Sequence, residues 1–99
     1  MIGYIYKTTN TINNKVYIGK HYGSQYDEKY FGSGKILCTA IKKYGIQYFT
    51  NEIIDTADSE EELNQKEIKH ISHYKSLYGR NCYNIANGGT GGDVFKYST

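Results

Sequence analysis

The chain begins with two runs of strand-forming residues, GYIYKT (residues 3–8) and KVYIG (residues 15–19). Side chains alternate between the two faces of a β-strand, so the pattern places Tyr6 on one face and Ile5 on the other. The polar, Asn-rich segment between the runs is typical of a turn. The two runs are therefore predicted to form a β-hairpin.

A helix and a third strand are predicted after the hairpin. The segment that follows the hairpin is expected to be a loop that exposes Tyr30 and Phe31. Ser33 is positioned to cap the N-terminus of a helix that ends before Gly45. Residues 48–54 are then typical of a strand. The apolar stripe of the helix comprises Ile36, Leu37, Ala40, Ile41 and Tyr44.

A second, longer helix is predicted towards the C-terminus. SEEE (residues 59–62) matches a capping box, in which a serine and a glutamate satisfy backbone amides of the first turn. Gly79 is expected to end this helix, and residues 82–85 are expected to form a short final strand. The order β-β-α-β-α-β indicates a small α+β domain with a mostly antiparallel sheet. The core stripe of the second helix comprises Leu63, Glu67, Ile71, Tyr74 and either Leu77 or Tyr78.

The composition of the 99 residues fits a single soluble domain, predicted over residues 1–92 with a flexible tail over residues 93–99. The chain has twelve tyrosines and no tryptophan, and a tyrosine ring packs like an apolar side chain while its hydroxyl needs a partner. Cys38 and Cys82 lack a CxxC spacing and are expected to be reduced thiols. No signal peptide or membrane span is recognisable, so we expect a cytoplasmic protein with no membrane partner.

The two halves of the chain differ in charge. Residues 1–50 contain seven lysines against two acids, a net charge of +5, whereas residues 51–99 contain five basic side chains against eight acids, a net charge of −3. A basic half rich in tyrosine suits a polyanion such as DNA, although a solvated lysine-rich face has the same pattern. The lysines expected to bind DNA are Lys7, Lys15, Lys35, Lys42 and Lys43.

Glu67 falls inside the apolar stripe of the second helix. An interior carboxylate costs several kcal/mol unless it is paired, hydrogen-bonded or bound to a metal. Pairing with a lysine would satisfy it, and so would Mg²⁺ or Mn²⁺, which prefer oxygen ligands. His70 shares a helix face with Glu67, as in helical carboxylate–imidazole metal sites, but the chain holds no second copy of that motif.

Tyr6 and Tyr17 lie on the two strands of the predicted hairpin and are expected to share one face of the sheet. Cross-strand aromatic packing explains such a pair without any catalytic role. The strand pattern alone therefore leaves both a packing role and a chemical role open.

Taken together, these motifs resemble the GIY-YIG nuclease family. GYIY (residues 3–6), ten intervening residues and YIG (residues 17–19) are similar to the paired signature of that family, although a tyrosine stands where its first glycine is usual. The run NKVYIG is typical of phage and bacterial members, including homing endonucleases. Further similar segments are YFGSGK (residues 30–35), AIKKYG (residues 40–45) and YNI (residues 83–85).

The resemblance implies a three-stranded antiparallel sheet flanked by helices, and hydrolysis of DNA phosphodiester bonds with Mg²⁺ or Mn²⁺. By that resemblance Tyr6 activates or positions the attacking water, and Tyr17 supports the nucleophile and the scissile phosphate. Glu67 would hold the metal, and Asn84 would brace the site.

A second departure from the family concerns the cation at the phosphate. Many members carry an arginine on the first helix that stabilises the phosphate, but the only arginine here is Arg80, which follows the second predicted helix. Lys20 and His21 directly follow the YIG motif and are the first candidates to replace it, with Lys35 as a further one. Lysine lacks the bidentate fork of a guanidinium, so the geometry at the phosphate is expected to differ.

Two other functions compete with the nuclease. One is a catalytically inactive relative that only binds nucleic acid through its basic half, and the other is a tyrosine-rich protein-interaction domain. An interior Glu67 favours the enzyme, whereas the absence of the family arginine favours the inactive module. On DNA the chain is expected to act as a monomer or as a transient dimer.

Overall fold

The structure is a computed structural model, and it describes residues 1–23, 25–26, 30–32 and 34–84. Three strands form one antiparallel sheet in the order β2-β1-β3, and two helices flank it. The α+β fold predicted from the sequence is thus confirmed. The elements are β1 (Gly3–Asn10), β2 (Val16–Tyr22), α1 (Lys35–Tyr44), β3 (Phe49–Ala57) and α2 (Glu60–Tyr78), with 3-10 turns at Ile46–Tyr48 and Gly79–Asn81.

The hairpin of β1 and β2 is closed by asparagines. The side-chain oxygen of Asn10 accepts a hydrogen bond of 2.9 Å from the amide of Ile12, which is an Asx-type turn. Asn14 takes up a φ of 63°, in the left-handed region that asparagine tolerates better than most residues. The hairpin is longer than predicted, because β2 continues to Tyr22.

Both faces of the sheet are covered, so nearly every residue of β1 is buried. On one face Ile5 and Ile18 pack against Leu63 and Ile71 of α2. On the other face a second apolar cluster joins α1 to the sheet and contains Leu37, Ala40, Phe49 and Tyr83, with Tyr17 and Phe31 packed against it. Because β1 is the central strand, its alternating side chains reach both clusters.

The first helix begins differently from the prediction. Its N-cap is Gly34, and no side chain of the described residues caps it. Gly34 thus stands one residue after the predicted cap, Ser33, which lies outside the described residues. Ile36 is also not a core residue, because 47% of it is exposed. The remainder of the predicted apolar stripe of α1 is buried or half-buried.

The second helix follows its prediction closely at both ends. The Ser59 hydroxyl accepts a hydrogen bond of 3.1 Å from the Glu62 amide, and the Glu62 carboxylate reaches back to the amide of Asp58 at 2.7 Å. Gly79 ends the helix with a φ of 58°. Leu77, one of two alternatives for the end of the core stripe, is 65% exposed, so Tyr78, which is half-buried, is the better choice.

The predicted final strand is reduced to a single bridge among the described residues. Cys82 bridges Val16 in parallel, and the Tyr83 amide donates a hydrogen bond of 2.6 Å to the Val16 carbonyl. This segment covers the start of the outer edge of β2. The rest of the predicted strand, the glycine run and the predicted domain boundary at residue 92 lie outside the described residues.

Candidate catalytic site at the edge of the sheet

Tyr6 and Tyr17 share one face of the sheet, as predicted. Tyr6 is paired with Gly19 and Tyr17 with Thr8, so the two tyrosines lie diagonally across the hairpin. Their ring centroids are 6.3 Å apart, and only 1% of Tyr6 is exposed. The pair lies on the face that α1 covers.

The absence of a side chain at Gly19 leaves the space that the Tyr6 ring occupies. A methyl group at Gly19 would lie 2.3 Å from the Tyr6 hydroxyl oxygen and 2.5 Å from the ring carbon that bears it. Distances this short are excluded by van der Waals repulsion. The tip of Tyr6 therefore lies directly over the backbone of β2, which is an edge strand of the sheet. The glycine of the YIG motif thus has a steric role.

Two further glycines enclose Tyr17. A methyl group at Gly32 or at Gly34 would lie 2.7 Å or 2.6 Å from carbons of the Tyr17 ring. The backbone that leads into α1 therefore packs directly on this ring. This contact explains why glycines stand at positions 32 and 34, on either side of the predicted cap at Ser33.

Tyr30 also belongs to this site, which the sequence pattern did not predict. Tyr30 was predicted to be exposed, but it is half-buried, with its ring 5.6 Å from Tyr6 and 4.8 Å from His21. Its side chain also hydrogen-bonds to that of Tyr6. Asn51 of β3 donates a hydrogen bond of 2.6 Å to the Tyr30 carbonyl, which fixes the segment against the sheet. The adjacent Phe31 was likewise predicted to be exposed and is half-buried.

Burial strongly raises the pKa of both tyrosines. For Tyr6 the effect of burial on the pKa is increased by Tyr17, Tyr30 and the negative charge of Glu67. For Tyr17 burial again dominates, followed by the charge of Glu67. Both hydroxyls are therefore protonated at neutral pH and available as hydrogen-bond donors. Either would become a base only beside a cation that offsets burial.

Glu67 is buried on α2, as its place in the apolar stripe predicted, with 9% of the residue exposed. Its carboxylate lies 3.8 Å from the ammonium group of Lys20, which also hydrogen-bonds to Asn64. Lys20 was predicted to follow the second strand, whereas it lies within β2, one residue after Gly19. Pairing with a lysine, one of the two alternatives for this acid, is therefore present.

His21 and Lys20 lie on opposite faces of β2. Lys20 is paired with Ile5 and points to the α2 face, whereas His21 is paired with Tyr4 on the tyrosine face. The His21 ring lies 5.2 Å from the Tyr4 ring. The two candidates for the phosphate-binding cation thus flank the edge strand from its two sides.

His70 does not join Glu67. Its ring nitrogen lies 2.9 Å from the carboxylate of Asp55, which also pairs with Lys66 at 3.2 Å. Among the residues that the structure describes, no group of three or more histidine, cysteine, aspartate or glutamate side chains is arranged to hold a metal.

Asn84 braces the edge strand between Tyr17 and Gly19. Its side-chain oxygen accepts a hydrogen bond of 2.8 Å from the Ile18 amide, and its side-chain nitrogen donates one of 2.6 Å to the Ile18 carbonyl. Within the described ranges no strand pairs with β2 at Ile18 on this side, and the amide side chain bonds to its backbone groups there. The role of Asn84 in bracing the catalytic site, which the resemblance implies, stays a prediction.

The five lysines predicted to bind DNA do not form one surface. Lys7 lies on the α2 face, 3.4 Å from Glu52 and over the ring of Tyr74. Lys42 is exposed on α1. Lys15, Lys35 and Lys43 are brought together around one cavity beside α1. Arg80 is exposed in the turn after α2.

Proteins of Enterobacteria phage T4 are similar to the chain over nearly its whole length. "Putative endonuclease segB" is 45% identical over 92 residues, which are 93% of the chain and 41% of that protein. "Putative endonuclease segE" is 40% identical over 94 residues, covering 95% of the chain and 45% of that protein. "Endonuclease segA" is 33% identical over 101 residues, covering 95% of the chain and 42% of that protein.

The chain is similar to part of several phage proteins named as endonucleases. It spans less than half the length of each of the three. No family model matches the chain, and no solved structure matches it. None of the helices in the described part of the chain is long and apolar enough to cross a membrane.

Proposed function

We propose that the chain is the catalytic part of a metal-dependent DNA endonuclease of the GIY-YIG type. One observation carries the proposal: the Tyr6 hydroxyl lies over Gly19, and the next residue of that strand, Lys20, pairs with the buried Glu67. The charge of Glu67 acts on both Tyr6 and Tyr17. Two tyrosines, a lysine and a buried carboxylate therefore lie around one edge strand, and the names of the phage relatives support phosphodiester hydrolysis.

The donor set fits Mg²⁺ or Mn²⁺. Mg²⁺ keeps several water ligands and is bound by one or two carboxylates together with substrate phosphates, so a single glutamate suits it. Glu67 would hold the ion. The ion would stabilise charge on the phosphate and assist the departure of the 3′ oxygen.

The tyrosines would orient the attacking water and the phosphate. Tyr6 is held by Tyr30 and by its contact with Gly19, so its hydroxyl has a fixed position. A neutral, buried hydroxyl donates or accepts a hydrogen bond without reorganising, which is the property that a positioned nucleophile requires. Tyr17 would act from the neighbouring position on the same face. Proton removal from the water through Tyr6 would require a cation beside it.

Lys20 would replace the family arginine as the cation at the phosphate. It contacts Glu67 in the structure, and a divalent ion at Glu67 would take over the neutralisation of that acid. The ammonium group would then be available to a phosphate oxygen, as a point charge rather than a fork. His21 would supply a hydrogen bond from the tyrosine face of β2.

Asn84 would be a positioning residue. By holding both backbone groups of Ile18, it fixes the strand that carries Tyr17 and Gly19. The proposed substrate is DNA, and the proposed state on DNA is a monomer or a transient dimer. We also propose that the protein acts in the cytoplasm of a bacterial or phage-infected cell.

Nicking of supercoiled plasmid tests the proposal. Wild-type protein should nick the plasmid with Mg²⁺ and leave it intact with EDTA. Glu67→Gln should lose nicking, whereas Glu61→Gln, an exposed acid on the same helix, should retain it. Metal-independent nicking, or equal rates for the two variants, would overturn the proposal.

The alternative is a catalytically inactive DNA-binding module. The Lys20–Glu67 pair favours it, because this pair satisfies the buried acid without a metal. Such a module would bind the same plasmid in a gel-shift assay while leaving it supercoiled with Mg²⁺ and with Mn²⁺.

A further inference from the structure

A cavity of about 340 Å³ lies beside α1, and none of Tyr6, Tyr17 and Tyr30 is among the residues that line it. We call it the α1 cavity. It is lined by the end of the hairpin turn, by one side of α1 and by Tyr83. Its volume lies at the lower end of the range of small-ligand sites, roughly 300 to 1,000 Å³.

The rim of the α1 cavity is positively charged. Lys15, Lys35 and Lys43 lie on it, and no acidic residue is among the described residues that line it. Two of the ammonium groups rest on aromatic rings, Lys15 at 5.9 Å from the centre of Tyr83 and Lys43 at 5.4 Å from the centre of Tyr44. Cation–π contacts of this kind keep the charges at the cavity rather than in bulk solvent.

The wall of the cavity is apolar and aromatic. Ile36 and Ala40 line it together with Tyr44. Ile36 is 47% exposed, although it stands in an amphipathic helix with a buried face. An apolar side chain left open beside three lysines provides a surface on which a flat, uncharged group packs.

The α1 cavity adjoins the candidate catalytic site. Lys35 follows Gly34, whose backbone packs on the Tyr17 ring. Tyr83 is hydrogen-bonded through its amide to Val16, the residue before Tyr17. Two residues that line the cavity are therefore joined to the surroundings of Tyr17, one through Gly34 and the other through Val16.

We propose that the α1 cavity binds one unstacked nucleotide of a DNA strand. Its phosphate would lie among the three lysines, and its base would pack against Ile36 and Tyr44. Lysine–phosphate contacts and base–aromatic stacking are the two main sources of affinity for single-stranded nucleic acid, and the cavity supplies both. The inference rests on the proposed function for the choice of a DNA strand as the polymer that supplies the nucleotide.

Titration of the ¹⁵N-labelled protein with deoxyadenosine 5′-monophosphate in EDTA tests the cavity directly. Amide shifts should change along Lys35–Tyr44 and at Lys15 and Tyr83. Inorganic phosphate alone should bind more weakly, because it lacks the base. Ile36→Ser should weaken nucleotide binding by about five-fold or more, because the base loses the apolar side chain on which it packs. Shift changes that are equal for nucleotide and phosphate, or are found elsewhere, would overturn the inference.

A second measurement uses DNA without cleavage. In EDTA, a duplex with a single-nucleotide bulge should bind more tightly than the paired duplex, and Ile36→Ser should abolish this preference. Lys35→Ala should weaken the bulged duplex more than Lys69→Ala, which removes the same charge from α2. Equal losses in the two lysine variants would contradict the inference.

The two proposals fail separately. If the cavity binds the nucleotide but the protein never nicks plasmid, the proposed nuclease function is wrong and the proposed binding site stands. If the protein nicks plasmid but its cavity residues do not respond to the nucleotide, the proposed binding site is wrong and the nuclease function stands.

Discussion

Replacement of Gly19 by alanine tests the steric basis of the site. Gly19 lies in a strand and has no positive φ, so its backbone accepts an alanine. In most strands this change would be favourable, because glycine costs about 0.5–1 kcal/mol relative to alanine. Here the new methyl would lie 2.3 Å from the Tyr6 hydroxyl oxygen, and ordinary carbon contacts are about 3.5–4.0 Å. The Tyr6 ring would have to withdraw by more than about 1 Å.

The expected loss of stability follows from two opposing effects, the clash with the Tyr6 ring and the gain from replacing a glycine in a strand. Overpacking of a buried site costs about 1–3 kcal/mol, so after the backbone gain we expect Gly19→Ala to lower the free energy of unfolding by about 1–2 kcal/mol. For a domain of this size that corresponds to a melting temperature lower by about 5–15 °C. Urea denaturation followed by circular dichroism measures the loss.

A double-mutant cycle tests whether the Tyr6 ring causes the loss of stability in Gly19→Ala. In a Tyr6→Leu background the tip of the ring is absent and only a 3.0 Å approach to the Tyr17 ring is left, so Gly19→Ala should lower the free energy of unfolding by much less than in the wild type. An equal cost of Gly19→Ala in both backgrounds, or no cost in the wild type, would refute the steric reasoning.

Three further predictions concern the edge strand and its neighbours. Asn84→Ala should lower the free energy of unfolding by about 1–3 kcal/mol, because it leaves both backbone groups of Ile18 without their partner, and urea denaturation would show this. Lys20→Met should lower the free energy of unfolding of the metal-free protein. The loss should be smaller than the about 3–5 kcal/mol typical of a broken buried ion pair, since the Lys20–Glu67 distance is long at 3.8 Å. Mn²⁺ should raise the melting temperature of this variant more than that of wild type, because the ion neutralises Glu67. Asp55→Asn should lower the melting temperature at neutral pH. Although burial raises the pKa of Asp55, hydrogen bonds from His70 and Lys66 outweigh it and the net pKa is lowered. The Asp55 carboxylate therefore stabilises the fold above the ordinary aspartate pKa, and this stabilisation is lost as the pH falls through the lowered pKa. The melting curves of variant and wild type should therefore converge in acid.

Local sequence patterns predicted the hairpin, both helices and their order. Strand alternation, the capping box at Ser59 and the terminal glycines act over a few residues, and each is visible in the sequence. The burial of Glu67 was also predictable, since its spacing placed it on an apolar stripe.

Contacts between distant segments were not predictable in the same way. The Tyr30 ring joins Tyr6 because residues 30–32 pack across the sheet, and nothing in the local sequence around Tyr30 indicates that contact. The sequence pattern favours Ser33 over Gly34 as the cap of α1, because the close approach of the Tyr17 ring to Gly34 depends on the tertiary structure. The pairing of Glu67 with Lys20 was one of two alternatives that the sequence left open.

Removal of the Tyr6 hydroxyl tests the proposed mechanism most directly. Tyr6→Phe keeps the buried ring and its contact with β2, so fold and DNA affinity should be retained. The rate of Mg²⁺-dependent nicking under single-turnover conditions should fall by about 10²-fold or more, the scale of the loss when a reactant is no longer positioned. Tyr48→Phe, at an exposed tyrosine before β3, should nick at the wild-type rate. A Tyr6→Phe protein that binds DNA normally and nicks it within about two-fold of the wild-type rate would contradict a catalytic role for Tyr6.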